Sequence, residues 1–210
     1  MPWFYYVSRA IVRMLLFLLT RCTVKGRENT PREGPLLVVA NHLSLADPPL
    51  LGVTLNRKTV FMAKKQLFYS PVLKHLVPGF GAFPVHRGQL DRQAIRQAYQ
   101  VLASGLALVM FPEGMRSRSG QLRPAFSGAA LIASRSGAPV LPIAISGTEK
   151  LERLAWFWRR PQITVNIGRP FYLAPPRSKL TKQELTELTH YIMQHIAELL
   201  PKEYQGDYSA

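Results

Sequence analysis

Two short segments of the 210-residue chain carry side chains suited to moving a proton and holding an anion. The first reads Asn41-His42-Leu43-Ser44-Leu45-Ala46-Asp47-Pro48-Pro49. His42 and Asp47 are five apart, a spacing that would point them about 140° from each other on a regular helix. Pro48 disfavours the α conformation at Asp47, so the segment reads as a turn entering a helix, and a turn can bring the carboxylate back to the imidazole. Asp47 would then hold one ring nitrogen, fix the tautomer and raise the basicity of the other, which is the equipment of a general base. A lone histidine near an aspartate is more often structural than catalytic. Ser44 offers a rival reading as a hydrolase nucleophile, but no G-x-S-x-G elbow occurs in the chain and Ser44 serves equally as a helix-start residue.

The second segment is Phe111-Pro112-Glu113-Gly114-Met115-Arg116-Ser117-Arg118-Ser119-Gly120. Its arginines offer planar forks for a phosphate, and Glu113 could accept a hydrogen bond from a polyol; the alternative is a solvated loop with incidental charges. A third segment, Gly81 to Gly88, places Arg87 after an apolar run and is weak alone. His75 and His86 have no acid beside them in sequence. His190 and His195 are five apart on an acidic segment, a poor spacing for a shared metal. Cys22 is the single cysteine, which excludes an internal disulfide and a cysteine-rich zinc site. There is no Walker loop, and Gly79-Phe80-Gly81 lacks the third glycine of a dinucleotide fingerprint.

These segments need elements to hold them. Pro35 to Ala40 and Leu106 to Phe111 are unbroken apolar runs, the pattern of strands covered on both faces. Further strands are expected at Thr59 to Ala63, Gly81 to His86, Val140 to Ile145 and, more exposed, Ile163 to Ile167. Helices are expected at Pro49 to Leu55, Ser70 to Leu76, Leu90 to Leu102, Ser127 to Ser134 and Thr181 to Leu200, the last with a Thr181–Glu184 capping box. Alternating strands and helices imply an α/β domain with a mainly parallel sheet flanked by helices. Both chemical segments then follow buried strands directly, where open α/β sheets place their sites.

Trp3 to Arg21 reads as a helix with aromatic residues first and a dense apolar run after them. Interrupting arginines and the lack of a small-residue cleavage site argue against a secretory signal. A helix lying in the membrane interface fits, with Trp3, Tyr5 and Tyr6 at headgroup level; a terminal helix docked on the domain's own core is the alternative. The expected organisation is residues 1–24 as this helix and 25–210 as the main domain. The longest charge-free stretch, Gln97 to Pro112, has 16 residues and falls short of the roughly 18 a spanning helix requires.

The chain carries 27 Lys+Arg against 12 Asp+Glu, a formal charge of +15, yet is 47 % apolar, which excludes intrinsic disorder for most of it. The charge is uneven. Pro48 to Leu90 contains Arg57, Lys58, Lys64, Lys65, Lys74 and Arg87 with no acid, and Gly114 to Thr148 contains Arg116, Arg118, Arg123 and Arg135 with none. Such a field attracts phosphate, nucleic acid or an anionic membrane. No nucleic-acid motif occurs, and the aromatic residues do not interleave with the bases.

Taken together, the segments resemble the glycerolipid acyltransferase family. Asn41-His42 and Asp47 match its N-H-x4-D signature, Gly81 to Gly88 its second block, Phe111 to Ser117 its F-P-E-G-T-R-S block, and Ala138-Pro139-Val140-Leu141-Pro142 its A-P-[VI]-x-P block. Met115 stands where the family usually has threonine, which removes a hydroxyl from that loop. The resemblance implies a glycerol-3-phosphate acyltransferase-like fold. It also implies transfer of a fatty acyl chain from acyl-CoA or acyl carrier protein to the free sn-2 hydroxyl of lysophosphatidic acid. His42 would be the base and Asp47 its partner, with backbone N–H groups near the turn receiving the oxyanion. Arg87, Glu113, Gly114 and Arg116, assisted by Lys64, would hold the glycerol 3-phosphate moiety. No cofactor beyond the acyl donor is implied. The expected partners are a lysophospholipid acceptor, the thioester donor and the cytoplasmic face of the cell membrane, met peripherally or monotopically, with no nucleic acid. Another lyso-lipid acceptor, or a non-catalytic basic domain binding membrane or nucleic acid, are the alternatives.

Overall fold

Leu36-Leu37-Val38-Val39-Ala40 is buried along its whole length, and its side chains alternate between two cores. Leu37 and Val39 pack on one face, Leu36, Val38 and Ala40 on the other, as a strand's period of two requires when both faces are covered. The computed structural model describes residues 2–69, 81–86, 91–152, 160–176 and 180–209. Within them this strand, β2 (Leu36–Ala40), is central among β1 (Arg21–Lys25), β3 (Thr59–Lys64), β4 (Ala82–Val85), β5 (Ala107–Met110), β6 (Val140–Ser146) and β7 (Gln162–Ile167). The sheet order is β1-β7-β6-β2-β5-β3-β4; every pairing is parallel except β6 with β7. The mainly parallel α/β architecture read from the strand–helix alternation is therefore present.

The helices form two layers. On the Leu37 face, α3 (Arg92–Ala103), α4 (Gly128–Ser136) and α5 (Lys182–Ala197) bury Ala94, Ala98, Leu102, Ile132, Ile192 and Ile196 against the sheet. On the Leu36 face, α2 (Asp47–Thr54) buries Leu50 and Leu51 against Phe61, Val109, Ile143 and Ile163. α5 opens with the expected capping box, Thr181 and Glu184 each satisfying the other's backbone N–H. The helix expected at Ser70 to Leu76 lies outside the described residues.

The N-terminal helix α1 (Pro2–Leu19) ends two residues before the expected Arg21, which instead opens β1. β1 pairs with β7 from Arg21↔Gln162 to Lys25↔Asn166 and so crosses the division expected between residues 24 and 25. It was illegible in sequence because it is a short, largely exposed edge strand with Arg21, Thr23 and Lys25 at its charged or polar positions, the composition that protects a sheet edge. α1 does dock on the domain. Leu16 packs against the Leu36-side core, and the Arg9 guanidinium donates to the Leu55 carbonyl at 3.0 Å, at the end of α2. Its outer face is apolar: Val7, Ile11, Met14, Leu15 and Leu18 are exposed and fall on one stripe. No helix among the described residues is long and apolar enough to cross a membrane.

Arg57, counted in sequence as part of the anion-attracting field, is a structural residue. It is buried and donates to the carbonyls of Pro31, Glu33, Gly34 and Gly105, the loops leading into β2 and β5. Those loops sit at the edge of the sheet opposite the site, so this charge serves the fold and not a ligand.

Candidate active site

β2 and β5 are adjacent and parallel, with Val39 opposite Met110, so the segments that follow them meet at one edge. Asn41 extends β2 by side chain: its Nδ2 donates to the Ile145 carbonyl at 2.8 Å and its Oδ1 accepts the Ile145 N–H at 2.7 Å. That pairing mimics one more ladder step with β6 while freeing the chain to turn. His42 then begins the turn that enters α2, with Pro48 and Pro49 in the first helical turn, where their missing N–H groups cost nothing.

The turn returns Asp47 to His42. Nδ1 of His42 and Oδ2 of Asp47 are 2.8 Å apart, and the same oxygen accepts the Leu43 and Ser44 N–H groups, both at 2.7 Å. Asp47 is fully buried. A carboxylate acceptor fixes the proton on Nδ1 and leaves Nε2 as the basic nitrogen. The ring lies against Phe111, centroids 4.2 Å apart and planes 23° from parallel. Phe111, the residue that follows β5, thus holds the imidazole plane while Asp47 holds its edge.

The Glu113 loop is tied to the His42 turn through its backbone. Glu113 Oε1 accepts the His42 N–H at 2.9 Å, its Oε2 accepts the Arg123 N–H at 3.0 Å, and the Ser117 N–H donates to the His42 carbonyl at 2.7 Å. Glu113 is only 2 % exposed. Burial pushes its carboxyl up to about 7, although the two amides and the Arg123 charge pull the other way. The polyol contact expected from sequence therefore meets a carboxylate that is buried and already shared by two backbone amides. Gly114 sits at φ +68°, and a Cβ there would come within 2.7 Å of the Phe126 ring, so only glycine fits the turn. Met115 is exposed beside it and Arg116 partly buried.

The other expected residues divide. Lys64 is exposed at the end of β3, opposite Val85, at the same sheet edge as His42. Arg87 lies outside the described residues. Ser44 is buried, with its Oγ accepting the Ala46 N–H at 3.3 Å, the helix-entry role. Of the turn N–H groups expected to receive the oxyanion, four are already engaged: His42 N–H by Glu113, Leu43 and Ser44 N–H by Asp47, and Asp47 N–H by the Ser44 carbonyl.

Sequence reasoning missed a second pair. His86, taken to have no acid partner, places Nδ1 2.9 Å from Asp91 Oδ2, again five residues on. The spacing itself was the available signal. Among the described residues no cluster of three or more His, Cys, Asp or Glu could hold a metal ion, and His195 packs between Phe171 and Tyr191.

Residues 21–146, which include both chemical segments, match the acyltransferase family model. The chain is 28 % identical over 189 residues to the 1-acyl-sn-glycerol-3-phosphate acyltransferase of Bacillus subtilis, covering 90 % of this chain and 92 % of that one. It is 29 % identical over 152 residues to the chloroplastic 1-acyl-sn-glycerol-3-phosphate acyltransferase BAT2 of Brassica napus, covering 70 % of this chain but only 43 % of the relative. It thus spans less than half the length of that plant protein. The crystal structure of the 1-acyl-sn-glycerophosphate acyltransferase PlsC from Thermotoga maritima superposes with a TM-score of 0.71 at 25 % identity, over 93 % of this chain and 78 % of that one. With a matched region covering more than half of its length and the His42–Asp47 turn inside it, the chain belongs to the acyltransferase family.

Proposed function

We propose that this protein moves a fatty acyl group from an acyl thioester to the free sn-2 hydroxyl of lysophosphatidic acid, giving phosphatidic acid, with His42 as general base. The observation that carries the reading is the buried His42 Nδ1–Asp47 Oδ2 hydrogen bond at 2.8 Å, in a chain whose relatives are named for this acylation.

Nε2 of His42 takes the proton of the acceptor hydroxyl as its oxygen attacks the thioester carbonyl. Asp47, held by two amides, stabilises the imidazolium that results. The tetrahedral intermediate collapses with C–S cleavage, and the departing thiolate of coenzyme A or acyl carrier protein receives the proton from Nε2. The acceptor supplies the nucleophile, so no serine or cysteine of the enzyme is acylated, and the sequence of steps draws on no resident cofactor. Arg116 and Lys64, with Arg87, are the cations assigned to the acceptor's phosphate. Glu113 acts as a strut that sets the Gly114–Arg116 loop against the His42 turn, its two oxygens each taking an amide from a different segment. The exposed apolar stripe of α1 rests in the membrane interface, which makes the protein a peripheral or monotopic one on the cytoplasmic face, where acyl thioesters are made.

Release of free thiol from an acyl thioester should require lysophosphatidic acid and should vanish in a folded His42→Ala protein. Near-normal release from that variant would sink the mechanism. Exposed Met115, in place of the family's threonine, favours a second reading in which another lyso-lipid is the preferred acceptor. A panel of lyso-acceptors in the same assay separates the two.

A further inference from the structure

Pro201 cannot continue α5, and the residues after it form two consecutive 3₁₀ turns, Lys202–Tyr204 and Gly206–Tyr208. Gln205, between them, ties the segment to α5: its Nε2 donates to the Ala197 and Leu200 carbonyls at 3.0 and 2.9 Å. Tyr204 and Tyr208 pack on the Leu37-side core, and the Tyr208 ring lies 5.3 Å from that of His190 on α5. Short as it is, the segment is a fixed strap.

The strap lies on the return leg of the Glu113 loop, residues 121–126. The Leu122 N–H donates to the Tyr204 carbonyl at 2.8 Å. Gly206 sits at φ +55°, and a Cβ there would come within 2.6 Å of the Leu122 carbonyl oxygen, so glycine is what lets the two backbones touch. Across the loop, the Tyr204 hydroxyl donates to Glu149 Oε1, beyond β6, at 2.9 Å. Burial first and Glu149 second push that phenol up to about 12, so it remains a donor at neutral pH. Burial pushes the Tyr208 phenol up too, while the Ala125 amide draws it down and the Glu113 charge raises it again, so both groups act on that oxygen.

From inside, the same leg is held by Glu113. Arg123, next to Leu122, donates its N–H to Glu113 Oε2, and the Phe126 N–H donates to the Pro112 carbonyl at 2.9 Å. The outgoing leg, which carries Arg116, is tied to the His42 turn by the Ser117 N–H. A loop keeps one shape only when both of its legs are held, because each unrestrained residue regains conformational entropy. Here the return leg is clamped between Glu113 and the strap. His42 itself is fixed separately, by Asp47 and Phe111.

We propose that the strap of residues 201–209 positions the loop that receives the acceptor's phosphate, with Tyr204 and Gly206 as its positioning residues. The proposal rests on the reading that Arg116 of this loop takes that phosphate. The strap acts through Leu122, Arg123 and Glu113, so it governs the affinity for the phosphorylated acceptor and leaves the thioester and the proton transfer at His42 alone.

Steady-state kinetics of the full chain test this, with lysophosphatidic acid and the acyl thioester varied in turn. Gly206→Ala drives the strap off Leu122 and should raise KM for lysophosphatidic acid roughly tenfold, with kcat and the thioester KM within about twofold of wild type. Tyr204→Phe keeps the ring and removes only the hydroxyl on Glu149; it should move the same KM roughly threefold, and it carries the test if Gly206→Ala does not fold. A strap that merely stabilises the fold would lower kcat and the thermal midpoint together and leave both KM values in place. That pattern, or an unmoved acceptor KM, overturns the proposal. Hydrogen–deuterium exchange reads the same link without turnover. Gly206→Ala, or Tyr204→Phe in its stead, should speed exchange at the Leu122 and Arg123 amides alike; faster exchange at Leu122 with Arg123 unchanged also overturns it. A wild type inactive toward lysophosphatidic acid overturns the acyl-transfer reading, and the exchange result still judges the strap. An active wild type whose acceptor KM ignores both variants overturns the strap alone.

Discussion

Two histidine–aspartate pairs with the same five-residue spacing stand at the same edge of the sheet, one after β2 and one after β4. Their Nδ1–Oδ2 distances are 2.8 and 2.9 Å. Their surroundings differ. The His42 and Asp47 side chains are 7 % and 0 % exposed; those of His86 and Asp91 are 45 % and 12 % exposed. Asp47 spends one oxygen on His42 and two amides of the same turn, and Phe111 covers the ring. Asp91 divides its oxygens between His86 and the Ala94 N–H, which makes it the N-cap of α3. The spacing makes the pair; the burial of the carboxylate and the fixed ring suit one to the base proposed for it, while the other caps a helix.

The sharpest break in that comparison is kinetic. Loss of the proposed general base in His42→Ala should cost about 10²–10⁴ in kcat/KM, and Asp47→Asn up to about 10⁴, with both proteins folded. His86→Ala should leave turnover within a few-fold of wild type. Comparable losses at the two histidines would erase the distinction.

Stability against pH sharpens it next. Glu113 keeps its proton up to about 7 in the folded chain, against an ordinary 4.5, so the folded state binds more protons between those values. Its contribution is fully present below 4.5 and is lost as pH rises through 7, a change of about 3 kcal/mol in denaturant unfolding. Glu113→Gln should flatten that slope. Truncating the cap by Asp91→Ala should cost about 1 kcal/mol with no change in KM.

The smallest effect runs the other way in pH. Amide hydrogen bonds from Ala94 and His86 hold the Asp91 carboxyl down to about 2, below its ordinary 3.8, so its stabilisation is present above 3.8 and fades as pH falls toward 2. Acid titration of wild type against Asp91→Asn, by circular dichroism, should show that limb as a minor shift.

The strands were legible because both faces of a parallel sheet demand apolar residues. Leu36 to Ala40 and Ala107 to Met110 therefore stand out as unbroken runs. β1 was not, since an edge strand with little to bury carries no such run. His42 and Asp47 were legible as a pair because a proline after Asp47 forces a turn. Glu113 was legible as a candidate beside the His42 turn but not in its part: only the folded chain brings the His42 and Arg123 amides to its two oxygens, 71 and 10 residues away. Arg57 looked like a free positive charge until its four carbonyl partners came into place.

By itself, then, the sequence determined the strand and helix alternation, the positions of most elements and the His42–Asp47 and Glu113–Arg116 segments, because these depend on local periodicity and turn chemistry. Tertiary structure alone decided which histidine is enclosed, which arginines bind carbonyls, and which carboxylate is fully buried. Those outcomes depend on desolvation and on partners far apart in the chain, and no window of sequence contains either.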